Sequence, residues 1–480
     1  MAMKLFYALA LPAFVGFLFV AWSSRSEEGR GPFERIFLGF GIGTGMITFE
    51  MFLLGLLRVP LQGTVISILQ IVSAILLGYL LYRSKKSWRE ISGLAAVHPD
   101  ALPVKAPFLR RFFVLLVIAW ILAKILFVLY EGFFLPEHTS DSWEHWSLGA
   151  KFLYYEKGLA LDPSNEHFFG TGYLKVQRYP LNVPLMQVWA SICLGEAHEI
   201  YMKVWNALLF VSMVGLLFCA LRRKTTPMTA LLASFFLSTV PLLTYHALTA
   251  YADLPLSFYA LAGLVCFWDV VDARRSGCSG EPRGLLVLMG TCAALCAWTK
   301  VEGLFYVAAF SVSLLLFFLL KKLPLKQGFA YLAPLALITA PWYVFLLFIG
   351  VPISYGEERM LEEAIAKGIH FQVLPMIAEQ VLFSANFNII FPVFLLLTTL
   401  GYRSIVRSGL AYLYSVTLAV MAMFLVLYLG TEAYRWVMNL TAVNRNILTF
   451  IPMMYYLASL TAHRLLQGEA GDGEVVTRHA

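Results

Sequence analysis

The fold class this sequence predicts is an all-α polytopic membrane protein with about 13 transmembrane helices. Three observations predict it. Hydrophobic residues make up 60% of the chain and charged residues 14%, with a mean hydropathy of +0.74. The apolar runs approach the ~20 residues needed to cross ~30 Å of hydrocarbon. They are continuous rather than alternating, which selects helices over a barrel in a medium that cannot hydrogen-bond a bare backbone.

The first three runs lie near 5–22, 34–57 and 63–82. Met1 to Trp22 has no small-residue cleavage site after its apolar run, so it reads as a retained span. Gly39, Gly41 and Gly43 fall inside the second run and read as helix packing. The polar stretch 83–111 carries Lys85, Lys86, Arg89, Lys105 and Arg110, the strongest cytoplasmic signal in the chain. A fourth span near 112–134 then leads out of the cytoplasm. The remaining spans are expected near 204–221, 228–247, 254–271, 284–299, 303–320, 328–350, 376–400, 409–429 and 447–463.

With the N-terminus outside and the C-terminus cytoplasmic, roughly two-thirds of the 36 Lys and Arg fall on the inside, as the positive-inside rule requires. The net charge of +7 is therefore a topology signal, not a nucleic-acid footprint. The six cysteines (Cys193, Cys219, Cys266, Cys278, Cys292, Cys296) have no metal-ligand spacing and read as small core residues. Residues 466–480 read as a disordered cytoplasmic tail.

The conspicuous polar break is the long outer loop 135–203, which opens Glu137-His138-Thr139-Ser140-Asp141-Ser142-Trp143-Glu144-His145-Trp146. A helix over 141–157 lying on the membrane surface would put Asp141, Glu144, His145 and Leu148 on one side. Trp143, Trp146, Ala150 and Leu153 would lie opposite, in the headgroups. The plainer alternative is an interfacial anchor with a solvated charged face. Glu137, His138, Asp141, Glu144 and His145 could also bind a divalent cation.

The other outer segments add few but pointed residues. Asp253 begins a span, where an acid serves as a helix cap or as a substrate-positioning group. Lys300 and Glu302 occupy a turn between spans, where a loose solvated ion pair is the simplest reading. Arg178, beside Tyr179, and Arg445, before the last span, can be rim residues. Together Arg178, Lys300 and Arg445 place fixed cations on the side of the acids, as a phosphorylated lipid requires. His246 could serve likewise or be structural. Lys124 is an expensive mid-span charge with no partner evident from the sequence. No nucleophile elbow, phosphate-binding glycine loop or Cys/His pair appears.

In this order, Asp141, then Tyr179-Pro180-Leu181-Asn182-Val183-Pro184-Leu185, Tyr251-Ala252-Asp253-Leu254-Pro255-Leu256, Thr299-Lys300-Val301-Glu302-Gly303, Ala340-Pro341-Trp342 and Asn444-Arg445 resemble the GT-C superfamily of integral membrane glycosyltransferases. That superfamily includes protein O-mannosyltransferases and the lipid A aminoarabinose transferase. The resemblance covers about 112–465, leaving 1–111 as a three-helix membrane extension with its basic cytoplasmic loop. It departs from the simplest layout of the superfamily, where the acidic loop follows the first span.

The resemblance implies a glycosyltransferase that moves a hexosyl or pentosyl group from a polyprenyl-phosphate donor to a glycan, lipid or protein acceptor. Transfer would occur on the periplasmic face of a bacterial inner membrane. Asp141 matches the catalytic base of an inverting transfer and Asp253 the second acid. Lys300 and Arg445 match positions near the donor phosphate, with Arg178, Tyr179, His246 and Glu302 as further substrate contacts. Metal dependence varies in the superfamily, so Glu144, His145 and His138 stay open as ligands. Two other readings remain: a flippase or other transporter of lipid-linked oligosaccharides, and an O-antigen-type ligase or polymerase.

Overall fold

The computed structural model describes residues 1–24, 29–84, 86–93, 107–159, 161, 164, 179–275, 282–321, 324–349, 368–440 and 442–467. Among them the regular structure is helical throughout. α1 (Ala2–Ser23), α2 (Pro32–Leu56) and α3 (Gly63–Arg83) come first. The short α4 (Trp88–Ser92) is started by a capping box between Ser87 and Glu90. α5 (Phe108–Phe134) leads to the surface helix α6 (Leu148–Glu156), and α7 (Asn182–Leu194) returns to the bundle.

Then follow α8 (Val204–Arg222), α9 (Pro227–Ser238), α10 (Pro241–Ala247), α11 (Asp253–Arg275), α12 (Arg283–Thr299), α13 (Gly303–Leu320) and α14 (Phe329–Phe348). The C-terminal part holds α15 (Val373–Leu382), α16 (Ile390–Leu400), α17 (Tyr402–Arg407), α18 (Ala411–Gly430), α19 (Tyr434–Met438), α20 (Val443–Leu448) and α21 (Ile451–Gln467).

Every apolar run read from the sequence is helical, but not every run is one long helix. Among the described residues 9 helices are long and apolar enough to cross a membrane, or 10 if the bent pair α9–α10 counts as one span. The expected count of about 13 is not reached by this measure, for local reasons. α9 and α10 meet at 69°, with Pro241 opening the second piece. The run 376–400 divides into α15 and α16 around Asn388, whose φ of 54° breaks the helix. α12 is helical over only 17 residues.

α11 is the pillar of the bundle. Its apolar window is 100% buried, against α8, α12, α21 and α2. At 1.5 Å per residue it is roughly 35 Å long, enough to pass from one bilayer surface to the other. Where α1 crosses α2, the backbones touch. A Cβ on Gly16 would stand 1.9 Å from the Gly39 carbonyl oxygen, and one on Gly43 would stand 1.8 Å from that of Pro12. The glycines thus do what the sequence suggested, letting two helices approach without side chains between them. α2 is welded to the core by Tyr259, whose hydroxyl donates to Gly41 O at 2.9 Å.

The end of α11 away from Asp253 closes in a buried ion network that sequence reading passed over. Arg30 Nη2 lies 2.7 Å from Asp269 Oδ2, and Arg223 Nη1 lies 2.9 Å from Asp269 Oδ1. Arg223 also grips Glu34 with Nε and Nη2, both at 2.8 Å, and Lys224 pairs with Asp272. The start of α2 and the ends of α8 and α11 are thereby tied into one unit. Lys124 lies elsewhere, on the thinly packed α5, with its ammonium 5.7 Å from the Phe127 ring centre.

Candidate active site

Two staples build the site. Glu137 is not a dangling acid. Its Oε1 accepts from His138 N (3.0 Å), Thr139 N (3.2 Å) and Thr139 Oγ1 (2.8 Å), and its Oε2 accepts from Ala250 N (3.0 Å). Ser142 Oγ accepts from the same Ala250 N–H, which ties the segment after α5 to the turn before α11. From the other side Asn206 Nδ2 donates to the carbonyls of His246 (3.3 Å), Thr249 (2.7 Å) and Tyr251 (2.8 Å). A turn whose carbonyls are satisfied this way has little freedom, so Tyr251 and Asp253 are delivered in fixed positions.

Asp253, the first residue of α11, is the hub. Its side chain is 0% exposed, and Oδ1 accepts from Lys300 Nζ at 2.8 Å while Oδ2 accepts from Arg445 Nε at 3.0 Å. Lys300 also reaches Glu302 Oε1 at 3.0 Å and Asn446 Oδ1 at 3.3 Å. Two hydrogen bonds and one ion pair thus surround its ammonium and leave it enclosed. Asn446 is held in turn by donating to the Tyr428 hydroxyl at 2.8 Å.

Arg445 differs from Lys300. Its Nη1 donates to Asp141 Oδ2, and its guanidinium carbon sits 4.5 Å from the Tyr251 ring centre, a cation–π contact. Side-chain exposure rises along the chain of contacts, from 0% at Asp253 to 22% at Arg445 and 36% at Asp141. The carboxylates govern the cations. Burial alone would lower the Lys300 ammonium's pKa, but Asp253 and Glu302 outweigh it and raise it above the ordinary lysine value. Arg445, likewise penalised by burial, is raised by Asp253 and Asp141.

His246 is buried with Nδ1 3.6 Å from Asp253 Oδ2, and among the described residues neither ring nitrogen has a hydrogen-bond partner. Tyr179 packs on Trp146, ring centres 5.3 Å apart, beside Val183 and Tyr251 in an apolar wall. So Asp141, Asp253, Lys300, Glu302, Arg445 and His246 come together, with Tyr179 nearby. Arg178 lies outside the described residues.

The three metal-ligand candidates do not converge. His145 Nε2 is 3.8 Å from Asp141 Oδ1, Glu144 faces outward, and His138 packs edge-on against Tyr245. Among the described residues no three His, Cys, Asp or Glu side chains form a group that could hold a metal ion.

The surface helix corrects one expectation. Trp146, Ala150 and Leu153 are buried in the protein rather than turned to the headgroups, and Glu144 is exposed. Only Trp143, at 45% exposure, points away. The shared face of Trp146, Ala150 and Leu153 packs into the protein, and the π-helical turn over Ser142–Ser147 sets Trp143 apart from it. Beyond this helix opens a pocket of about 200 Å³ lined by Trp143, Glu144, Lys151, Glu199 and Met202 among others. It touches none of the clustered ions. Sequence reading missed Asn206 and Asn446. A polar residue within an apolar span was the signal for the first, and adjacency to Arg445 for the second.

Residues 156–353 match the family described as dolichyl-phosphate-mannose-protein mannosyltransferase. That stretch is about two-fifths of the 480 residues; it contains His246, Asp253, Lys300 and Glu302, while Asp141 and Arg445 lie outside it. No curated protein and no solved structure matches the chain. That domain, set in an all-helical bundle of membrane-crossing length, supports a membrane glycosyltransferase of the GT-C type.

Proposed function

We propose that the enzyme transfers a glycosyl group from a polyprenyl-phosphate sugar to a hydroxyl of a glycan, lipid or protein, by a single inverting displacement. One observation carries this reading: a partly exposed carboxylate, Asp141, sits beside a guanidinium, Arg445, that a buried carboxylate, Asp253, holds in place. Glycosyl transfer from a phosphate needs these two groups side by side.

The acceptor oxygen attacks the anomeric carbon and its proton passes to Asp141. The bond from that carbon to the phosphate oxygen breaks, and polyprenyl phosphate leaves with the electron pair. Arg445 meets the growing charge on the phosphate. Asp253 acts through Arg445 and Lys300 as a positioning residue, and Lys300 with Glu302 completes its enclosure. The name of the matched family makes polyprenyl-phosphate mannose the first donor to try and a protein the first acceptor.

The Lys/Arg distribution supports a site on the outer face, with N-terminus outside and C-terminus cytoplasmic, and the superfamily resemblance suggests a bacterial inner membrane. The deciding experiment is transfer of labelled sugar from polyprenyl-phosphate mannose by the purified protein in lipid nanodiscs. Asp141→Asn abolishes it while leaving insertion and thermal unfolding unchanged; full activity in that variant ends the proposal.

A further inference from the structure

The contacts of Arg445 divide its guanidinium into a fixed edge and an exchangeable one. Nε faces Asp253, which is fully buried and is itself held by Lys300. Nη1 faces Asp141, which immediately precedes the π-turn of a surface helix and is 36% exposed. Among the described residues Nη2 meets no acceptor. The Nη1–Nη2 edge is the fork that takes two oxygens of a phosphate in parallel, and here half of it is filled by a carboxylate. Lys300 cannot take this part, because three acceptors already surround its ammonium and its side chain is 4% exposed.

The same contact restrains the base. While Asp141 Oδ2 accepts from Arg445 Nη1, that oxygen is engaged and is not presented to an incoming hydroxyl. Resting on the donor reading above, we propose that the donor's phosphate displaces Asp141 from Arg445, so that binding of the polyprenyl-phosphate sugar releases the base. The two non-bridging phosphate oxygens take Nη1 and Nη2, while Nε stays on Asp253 and keeps the guanidinium in place. Asp141 and the phosphate are both anions and compete for one edge. Before donor arrives, the base is held; once it arrives, the base is free beside the sugar. After transfer Asp141 carries the acceptor's proton and is neutral, so it no longer competes. Its deprotonation restores the ion pair and drives polyprenyl phosphate out.

The competition is measurable without an acceptor. Binding of decaprenyl phosphate to the full chain in detergent, with decaprenol as the uncharged reference, is compared across variants. Asp141→Asn and Asp141→Ala are expected to bind decaprenyl phosphate at least about 10-fold more tightly than the native chain, equivalent to about 1.4 kcal/mol. Arg445→Gln loses the preference for phosphate over alcohol. Adding Asp141→Asn to Arg445→Gln gains nothing further, because the competition needs both groups. Glu144→Gln removes a carboxylate from the same surface helix without touching Arg445 and measures the plain effect of charge.

Equal or weaker binding by both Asp141 variants, or an equal gain in Glu144→Gln, overturns the exchange. If the native chain and every variant bind phosphate no better than alcohol, the donor class itself is wrong. That result differs from a failed exchange. Thermal unfolding of each variant shows whether it is folded.

Discussion

Arg445 Nε stands 3.0 Å from Asp253 Oδ2 although 192 residues separate the two in the chain. The pair joins the last loop of the bundle to the top of its most buried helix. The contact does two things at once: it neutralises a carboxylate with no access to water, and it aims the rest of the guanidinium outward. Replacing Asp253 by Asn removes the shared anion and leaves two cations underpaired. Breaking a buried ion pair by removing one partner costs about 3–5 kcal/mol. Asp253→Asn is therefore expected to lower the thermal midpoint in detergent and to weaken donor binding together. A variant with native midpoint and native donor affinity would show that Asp253 is not the hub.

Lys300 should behave differently from Arg445. Its ammonium is enclosed by Asp253, Glu302 and Asn446, so Lys300→Met should cost stability first and donor affinity only through Arg445. Arg445→Met should do the reverse, raising the donor KM more than it lowers the midpoint. The pH dependence carries a sign. A lysine whose folded pKa is raised contributes stability that is fully present below its unfolded pKa, about 10.4, and is lost as pH rises through the higher folded value. The gap in midpoint between the native chain and Lys300→Met should stay level from about pH 6 to 9 and shrink only in more alkaline buffer. A gap that closes between pH 7 and 8 would mean that the ammonium is not what holds the cluster.

The bundle was legible because continuous apolar runs have one stable form in lipid, and each run became helix. The charge distribution also grouped Asp141, Asp253, Lys300 and Arg445 on one side, and they do meet. Which of them lies at the centre was not legible, since a sequence carries no distances. Asp253, at a helix start, looked like a cap as much as a hub. Glu137 looked like a loop acid and proved to be a staple, because backbone N–H groups from two segments converge on it. The wheel over 141–157 grouped Trp146 with Ala150 and Leu153 but turned that face to the headgroups, because a wheel does not say which side meets the protein; it misplaced Trp143, where a π-turn changes the angular step. At the far end Arg30, Arg223 and Lys224 were read as topology signals, and that reading hid their pairing with Glu34, Asp269 and Asp272.

Asn206 tests whether the turn before α11 is held from behind. Its amide serves three carbonyls, of His246, Thr249 and Tyr251, and touches no catalytic group. Asn206→Ala leaves buried carbonyls unpaired, at about 1–3 kcal/mol. The expected result is faster hydrogen exchange across 246–252 and a lower kcat, with the donor KM nearly native. Unchanged exchange in that stretch would assign the positioning of Asp253 to Glu137 and Ser142 alone.

The far-end network offers the converse test, stability without chemistry. Asp253 and Asp269 sit on the same helix, roughly 24 Å apart along its axis. Arg223 grips Glu34 with Nε and Nη2 and Asp269 with Nη1 and Nη2, the last shared between the two acids. Arg223→Met strips a cation from two buried acids, for which about 3–5 kcal/mol of destabilisation is expected. Because the helix between is packed along its whole apolar length, the site end should keep its geometry in the molecules that stay folded. Specific activity per folded molecule should then match the native enzyme at temperatures below the lowered midpoint. A fall in kcat at full folding would show that the two ends of α11 are coupled, and that the network takes part in the turnover cycle.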